Sequence, residues 1–164
     1  MKAVNVRHNW HRLAQVVALL AAVNVSLGAA ETPMARAGPA KPIQIVAFGD
    51  SLTAGFGLKP RHSFPAQLQK ALEARGHNVV VANAGVSGDT TAAGLERLAW
   101  AVPDGTNAVI LEFGANDALR GIDPNVARAN LEKIVFNLKE RGIPTLLAGF
   151  RAPANWGNSY SQAF

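Results

Sequence analysis

Three short polar segments of this chain carry the residue types that acyl transfer requires. The segment Gly49-Asp50-Ser51-Leu52 directly follows the apolar run at residues 43–48, and a hydroxyl set in a turn at the end of a buried strand is well placed to act as a nucleophile. Two later apolar runs are followed by Gly85 and Asn116. A backbone N–H and a carboxamide are donors that can stabilise an oxyanion. Together these residues predict acyl transfer through Ser51.

Each of these residues also has a purely structural interpretation. A serine after a strand often caps a helix, a glycine often serves a turn, and an Asn-Asp pair often forms an Asx turn. We assign supporting roles to Asp50 and Asp117, the neighbours of Ser51 and Asn116, and expect Asp50 to orient the serine. The recurrence of such a segment after three different strands favours a shared site.

The segments that must position these residues alternate in their hydrophobic pattern. Continuous apolar runs predict strands that are covered on both faces, as in a parallel sheet; they lie at residues 43–48, 79–82, 108–113 and 145–150. Amphipathic stretches predict three helices, one from a cap at Ser63 to Gly76, one over residues 90–101, and one from a cap at Asp123 to Gly142. The alternation predicts a doubly wound α/β fold with its ligand crevice at the carboxyl ends of the strands.

The first 30 residues predict a secretory signal peptide. A basic start precedes an apolar stretch at residues 13–25, and small residues follow at Gly28-Ala29-Ala30. A second cleavage site is possible at Ala35-Arg36-Ala37. The alternative, a membrane anchor, is disfavoured because the stretch is shorter than the roughly 20 residues of a span. We therefore expect a periplasmic or secreted protein without a stable membrane anchor, in which residues 31–41 form a flexible leader and residues 42–164 form one domain.

Charge and cysteine content exclude several functions. The chain has 16 basic and 11 acidic residues, a formal charge of +5. Removing the signal removes Lys2, Arg7 and Arg12, and the remaining charge of +2 gives no reason to expect nucleic-acid binding. The remaining basic residues are scattered, which predicts a solvated surface. The absence of cysteine excludes disulfides, thiolate metal sites and a catalytic thiol.

The same motifs resemble those of a known family. Gly49-Asp50-Ser51-Leu52, Gly85 and Gly114-Ala115-Asn116-Asp117 are similar to the first three blocks of the SGNH (GDSL) hydrolases. The segments at residues 83–90 and 153–157 look closest to the periplasmic arylesterase, acyl-CoA thioesterase I and lysophospholipase L1 branch. The resemblance implies a three-layer flavodoxin-like α/β fold, a Ser51 nucleophile, and an oxyanion hole made by Ser51, Gly85 and Asn116. It implies no cofactor and no metal, and an acyl ester, thioester or lysophospholipid as substrate.

One family feature does not occur in these 164 residues. Family members close the site with an Asp-x-x-His block, and no histidine follows His77. His62 and His77 are expected at the surface. We therefore expect a chain that lacks the C-terminal part of the fold, with the catalytic Asp and His missing and with weak or no activity. The alternatives are a flavodoxin-like module that binds phosphate on residues 51–55, and a non-catalytic acyl-binding protein.

Overall fold

The computed structural model describes residues 41–149. The strands are β1 (Ile43–Gly49), β2 (Val79–Gly85), β3 (Ala108–Glu112) and β4 (Thr145–Leu147). The helices are α1 (Ser51–Ala54), α2 (Phe64–Glu73), α3 (Thr91–Ala101), α4 (Ala115–Leu119) and α5 (Pro124–Glu140), and a short 3-10 helix covers Pro60–His62. The predicted signal peptide, the leader up to residue 40, Phe150 and the motif at residues 153–157 lie outside the described residues.

The four strands form one parallel sheet in the order β2-β1-β3-β4. Its register pairs Gly49, the last residue of β1, with Gly85 on one side and with Glu112 on the other. Three strands therefore stop at the same level, and the segments that follow them leave from the same edge. The topology confirms the predicted parallel α/β fold and brings the three polar segments to one end of the sheet.

Helices cover both faces of the sheet, and each face has its own apolar cluster. On one face Ala47, Val79 and Val81 pack with Leu68 and Leu72 of α2. The opposite face packs against α3 and α5, and its cluster contains Val46, Phe48, Leu98, Val102, Val109, Leu111, Phe113, Leu131, Ile134, Leu138 and Ile143. Successive β1 residues thus point to different layers, as the two-residue period of a strand requires. None of the helices within residues 41–149 has the length and apolar character to cross a membrane.

The predicted cap at Asp123 is confirmed, and Ser63 occupies its predicted N-cap position without capping the helix through its side chain. Thr90 accepts a hydrogen bond from Ala93 N–H at the start of α3, and Asp123 accepts one from Asn125 N–H at the start of α5. Ser63 occupies the N-cap position of α2, but its hydroxyl donates to the Pro60 carbonyl oxygen at 2.8 Å. The preceding 3-10 turn offers this acceptor within hydrogen-bond reach, so the hydroxyl joins the two helices instead of capping the second.

The expectation that every strand is covered on both faces is wrong for β2. Val79 and Val81 are buried, whereas Val80 and Ala82, which alternate with them, are exposed. The reason is the strand order, because β2 lies at an edge of the sheet. The amphipathic patterns of α2 and α5 place Phe64 and Val126 on the apolar faces that we expected to be packed, but both side chains are about half exposed.

Candidate active site

Ser51 is the first residue of α1 and is separated from the end of β1 only by Asp50. Asp50 caps this helix: its Oδ1 accepts from Leu52 N–H at 2.9 Å. The helix is one turn long and closes at Gly55, whose N–H donates to the Ser51 carbonyl oxygen at 3.0 Å. The N–H groups of a first turn have no partner inside the helix. The turn therefore holds the Ser51 hydroxyl beside backbone donors, at a side chain that is only partly buried.

Asn116 ties Asp50 to a second loop. Its Nδ2 donates to Asp50 Oδ2 at 3.0 Å and to the Asp89 carbonyl oxygen at 2.9 Å. Asp50 thus holds the start of the serine helix with one oxygen and the carboxamide of α4 with the other. The structure brings Ser51, Asp50 and Asn116 together, as the sequence analysis expected. Both hydrogens of the Asn116 amide are engaged within the protein in this conformation.

The buried Asp117 joins the start of α4 to the start of α3. Its fully buried carboxylate accepts from Thr91 N–H at 2.9 Å and from Thr91 Oγ1 at 2.6 Å. Asn130 of α5 donates to the same hydroxyl at 3.2 Å. Asp117 therefore anchors α4 to the first residue of α3. The contacts are those of a residue that supports the site from within the fold.

The backbone around Gly85 is occupied, in contrast to its expected role as a donor. Gly85 N–H donates to Asn83 Oδ1 at 3.0 Å, and Asn83 Nδ2 donates to the Ala54 carbonyl oxygen at 3.2 Å. Gly88, three residues on, has a positive φ of 89°, and its N–H has no hydrogen-bond partner within the part of the chain that the structure describes. Its neighbour Asp89 accepts from Asn116. The geometry therefore favours Gly88 over Gly85 as the available backbone donor.

Gly85 has a different and demanding task, which is to let α1 approach β2. A Cβ atom on Gly85 would lie 2.2 Å from Ala54 N and 2.7 Å from Ala54 Cα. We expect Gly85→Ala to lower the free energy of unfolding by about 1–3 kcal/mol, because backbone atoms of α1 would have to move. Urea unfolding measures the change.

The matched control for that substitution is Gly149→Ala. Among residues 41–149, a Cβ atom at Gly149 would meet no atom within 4 Å, and Gly149 has no positive φ. This variant should unfold at nearly the same urea concentration as the parent. Equal stability of the two variants would contradict the steric role of Gly85.

A buried arginine of α3 forms hydrogen bonds with the carboxyl ends of β1 and β2. Arg97 of α3 is 7% exposed. Its Nε donates to Asp89 Oδ2 at 2.6 Å, and its two terminal nitrogens donate to the carbonyl oxygens of Ala84 and Gly49 at 2.9 Å each. The guanidinium also lies 4.5 Å from the centroid of the Phe48 ring. The expectation of a wholly solvated basic surface is wrong at this position, because the fork of donors meets three acceptors in the interior.

Two acidic groups lie close together behind the serine turn. Glu112 Oε2, at the end of β3, accepts from Thr53 Oγ1 at 2.8 Å and from Asp50 N–H at 3.4 Å. Burial raises the pKa of Asp50 above its ordinary value, although hydrogen bonds from Leu52 and Asn116 act to lower it. Burial likewise raises the pKa of Glu112. Sequence reasoning missed Glu112 and Arg97, since a single charge beside a strand or on a helix is more often solvated.

Histidine, the usual base for a serine nucleophile, is absent from this constellation as far as residues 41–149 show. His77 lies just before β2, at the amino ends of the strands, whereas Ser51 lies at their carboxyl ends. His62 is exposed, and its Nε2 accepts from Arg61 Nε at 3.1 Å. Both are surface residues, as expected. No group of three or more His, Asp or Glu side chains in the described range is arranged to hold a metal ion.

Comparisons with known proteins place this arrangement in context. The chain is 39% identical to an arylesterase of Vibrio mimicus over 122 residues, which are 74% of this chain and 61% of the relative. It is 36% identical to thioesterase 1/protease 1/lysophospholipase L1 of Escherichia coli (strain K12) over 121 residues, which are 73% of this chain and 57% of that protein. The chain thus spans about three fifths of the length of these relatives.

Solved structures share the fold as well as the sequence. AlinE4, an SGNH-hydrolase family esterase, superposes with a TM-score of 0.72 at 49% identity, over 77% of this chain and 68% of that one. A family model described as the GDSL-like Lipase/Acylhydrolase family matches residues 47–164. This match begins within β1 and includes all three polar segments. The expected family is confirmed: the chain belongs to the GDSL-like lipase/acylhydrolase family, the SGNH hydrolases.

Proposed function

We propose that this protein hydrolyses carboxylic esters or thioesters through an acyl-Ser51 intermediate. The observation that carries the proposal is the double role of Asp50, which caps the serine helix and accepts from Asn116. One buried carboxylate thereby holds a nucleophile and a neutral donor at the same edge of the sheet. Such preorganised donors are among the largest contributions to acyl transfer, and removal of one costs on the order of 3 kcal/mol.

In the proposed reaction, Ser51 Oγ attacks the carbonyl carbon while its proton passes to a base. The resulting oxyanion accepts from Ser51 N–H, and the bond to the leaving oxygen or sulfur breaks to give the acyl-enzyme. Water then repeats the attack and releases the acid. The family pattern supplies the base from an Asp-x-x-His block, and added imidazole can take that part in an experiment.

The second backbone donor in this proposal is Gly88, and not Gly85 as the sequence analysis expected. The Gly85 amide is bonded to Asn83, whereas the Gly88 amide has no partner among residues 41–149 and lies one residue from the Asp89 carbonyl that holds Asn116. Asn116 contributes to the oxyanion hole when it exchanges one of its two internal acceptors for the substrate oxygen. That exchange keeps the amide anchored by its other hydrogen.

The proposed substrates are small acyl esters, thioesters or lysophospholipids, in line with the names of the relatives, which include an arylesterase and a thioesterase/lysophospholipase. We further propose that residues 1–30 direct export to the periplasm or beyond. No nucleic-acid partner is proposed. The phosphate-binding alternative receives no support, because Thr53, which a phosphate cradle would use, is buried and donates to Glu112.

A fluorophosphonate tests the proposal on the 164-residue chain. Ser51 Oγ forms a bond to phosphorus, fluoride leaves, and imidazole in the buffer takes the proton. Peptide mapping should find the phosphonyl group on Ser51, with labelling that accelerates as imidazole is added. Label spread over several exposed serines, or none on Ser51, would refute the nucleophile.

The same adduct tests the choice of backbone donor. We expect the amide resonances of Ser51 and Gly88 to move downfield in ¹⁵N–¹H spectra after phosphonylation, because each would donate to the phosphonyl oxygen. The Gly85 resonance should stay near its original position. A shift at Gly85 with none at Gly88 would restore the original expectation.

A further inference from the structure

The two carboxyl groups behind the serine turn form an unusual pair. Asp50 is fully buried at the end of β1, and Glu112 ends the neighbouring strand, in register with Gly49. Glu112 Oε2 lies 3.4 Å from the Asp50 amide nitrogen, and the two carboxyl groups act on each other's pKa. The mechanism proposed above uses Asp50 as a positioning group and gives Glu112 no task.

The two carboxyl groups accept hydrogen bonds from different donors. Asp50 accepts two amide donors, Leu52 N–H on Oδ1 and Asn116 Nδ2 on Oδ2. Glu112 accepts the Thr53 hydroxyl at 2.8 Å, and its contact with Asp50 N–H is long at 3.4 Å. Donors that approach a carboxylate favour its ionised form. Asp50 is therefore the better placed of the two to carry the negative charge.

No cation in the described range compensates a second charge at this place. The three donating nitrogens of Arg97 are committed to Asp89 and to the carbonyls of Ala84 and Gly49. The remaining charged neighbour is Asp117 of α4, whose negative charge acts on Asp50. The elements β4 and α1 bring no charged side chain. Two adjacent carboxylates in such surroundings repel strongly, and one proton between them removes the repulsion.

We propose that Glu112 is a positioning residue that keeps its proton at neutral pH and donates it to Asp50. The shared proton holds the Asp50 carboxylate where it can cap the serine helix and retain Asn116. Ionisation of Glu112 would set two negative charges against each other and push Asp50 away from one of its amide donors. Glu112 thus links the protonation of the protein interior to the alignment of Ser51 and Asn116.

The proton on Glu112 is tested directly by carboxyl ¹³C NMR of the 164-residue chain labelled in glutamate. Glu112→Gln identifies its resonance, and Glu140→Gln, which changes an exposed glutamate on α5, is the matched control that should leave this resonance in place. The Glu112 signal should keep its protonated position up to neutral pH. Ionisation of Glu112 below neutral pH would overturn the proposal.

Stability provides the second readout. Because the pKa of Glu112 is raised, the folded chain binds the Glu112 proton more tightly than the unfolded chain does. The stabilisation that this proton gives the folded chain is therefore fully present below the pKa of Glu112 in the unfolded chain, near 4.5. It is lost as the pH rises through the folded pKa. Glu112→Gln retains a donor and cannot ionise, so its advantage in unfolding free energy over the parent should grow as the pH rises. Parallel pH profiles for the two proteins would contradict the shared proton.

Neither measurement requires catalysis, so they stand apart from the proposed function. Where Ser51 labelling occurs, the ratio of the parent rate to the Glu112→Gln rate should fall as the pH rises, and the Glu140→Gln ratio should stay constant. A constant ratio for both variants would show that Glu112 does not position the nucleophile. Absence of labelling in all three proteins would count against the nucleophile and leave the NMR result to decide on Glu112.

Discussion

Replacing Ser51 with alanine should abolish covalent labelling by a fluorophosphonate and remove the imidazole-dependent part of ester hydrolysis. The hydroxyl is the only atom group that the substitution removes, and the first turn of α1 retains its cap because Asp50 binds the Leu52 amide. The expected effect is complete for labelling, since no phosphorus–oxygen bond can form at residue 51. Mass spectrometry of the intact chain and a p-nitrophenyl acyl ester assay provide the two measurements.

Ser87→Ala is the matched control for this experiment. Ser87 is an exposed serine in the loop after β2, close in sequence to the site and without a proposed role in the chemistry. The variant should be labelled as the parent is. Imidazole hydrolyses activated esters by itself, so the Ser51→Ala protein in the same buffer supplies the background rate. Equal labelling of the parent and the Ser51→Ala protein would exclude an acyl-Ser51 mechanism.

Replacing Arg97 with methionine should lower the free energy of unfolding by about 3–5 kcal/mol, the cost of removing one partner from a buried ion pair. Methionine can keep much of the packing on Phe48, but it leaves the Asp89 carboxylate without its cation, at a side chain that is 15% exposed. It also leaves the carbonyls of Ala84 and Gly49 without these donors. This is a large fraction of the 5–15 kcal/mol that stabilises a typical domain. Urea unfolding measures the loss.

Two further variants separate charge from packing. Arg128→Met breaks an exposed pair with Glu132, in which both side chains are more than half exposed, and should change stability by no more than about 0.5 kcal/mol. Asp89→Asn added to Arg97→Met removes the uncompensated charge, so the double variant should be less destabilised than the two single losses predict. Strict additivity would show that the ion pair does not account for the cost.

The sequence predicted the positions of the site residues along the chain better than it predicted their bonding. Strand ends could be located from apolar runs, and parallel strands bring their carboxyl ends to one edge, so Ser51 and Asn116 were correctly expected near each other. Hydrogen bonds between loops follow from side-chain placement that no pattern encodes. This is why the bond between Gly85 and Asn83 was not foreseen.

The burial of charged side chains could not be predicted from the hydrophobic pattern either. Arg97 is followed by Leu98 in an amphipathic helix, and an arginine there is ordinarily solvated. Its burial depends on three acceptors contributed by β1, β2 and the loop after β2, which come together only in the folded chain. The same holds for Glu112, whose unusual surroundings arise from Asp50 and Thr53, some 60 residues earlier in the sequence.

Glycines at the carboxyl ends of the strands tolerate substitution less well than glycines in the turns at the opposite end of the sheet. Gly49 and Gly85 are sterically sealed, each with a backbone or side-chain atom 2.2 Å from where a methyl group would sit. Gly76 and Gly142 lie in the turns that lead back into β2 and β4, where an added Cβ atom would meet no described atom within 4 Å, and both adopt a left-handed backbone. Loop grafts, affinity tags or circularly permuted termini are thus best engineered at those return turns, where the scaffold can be remodelled without reaching the reactive end.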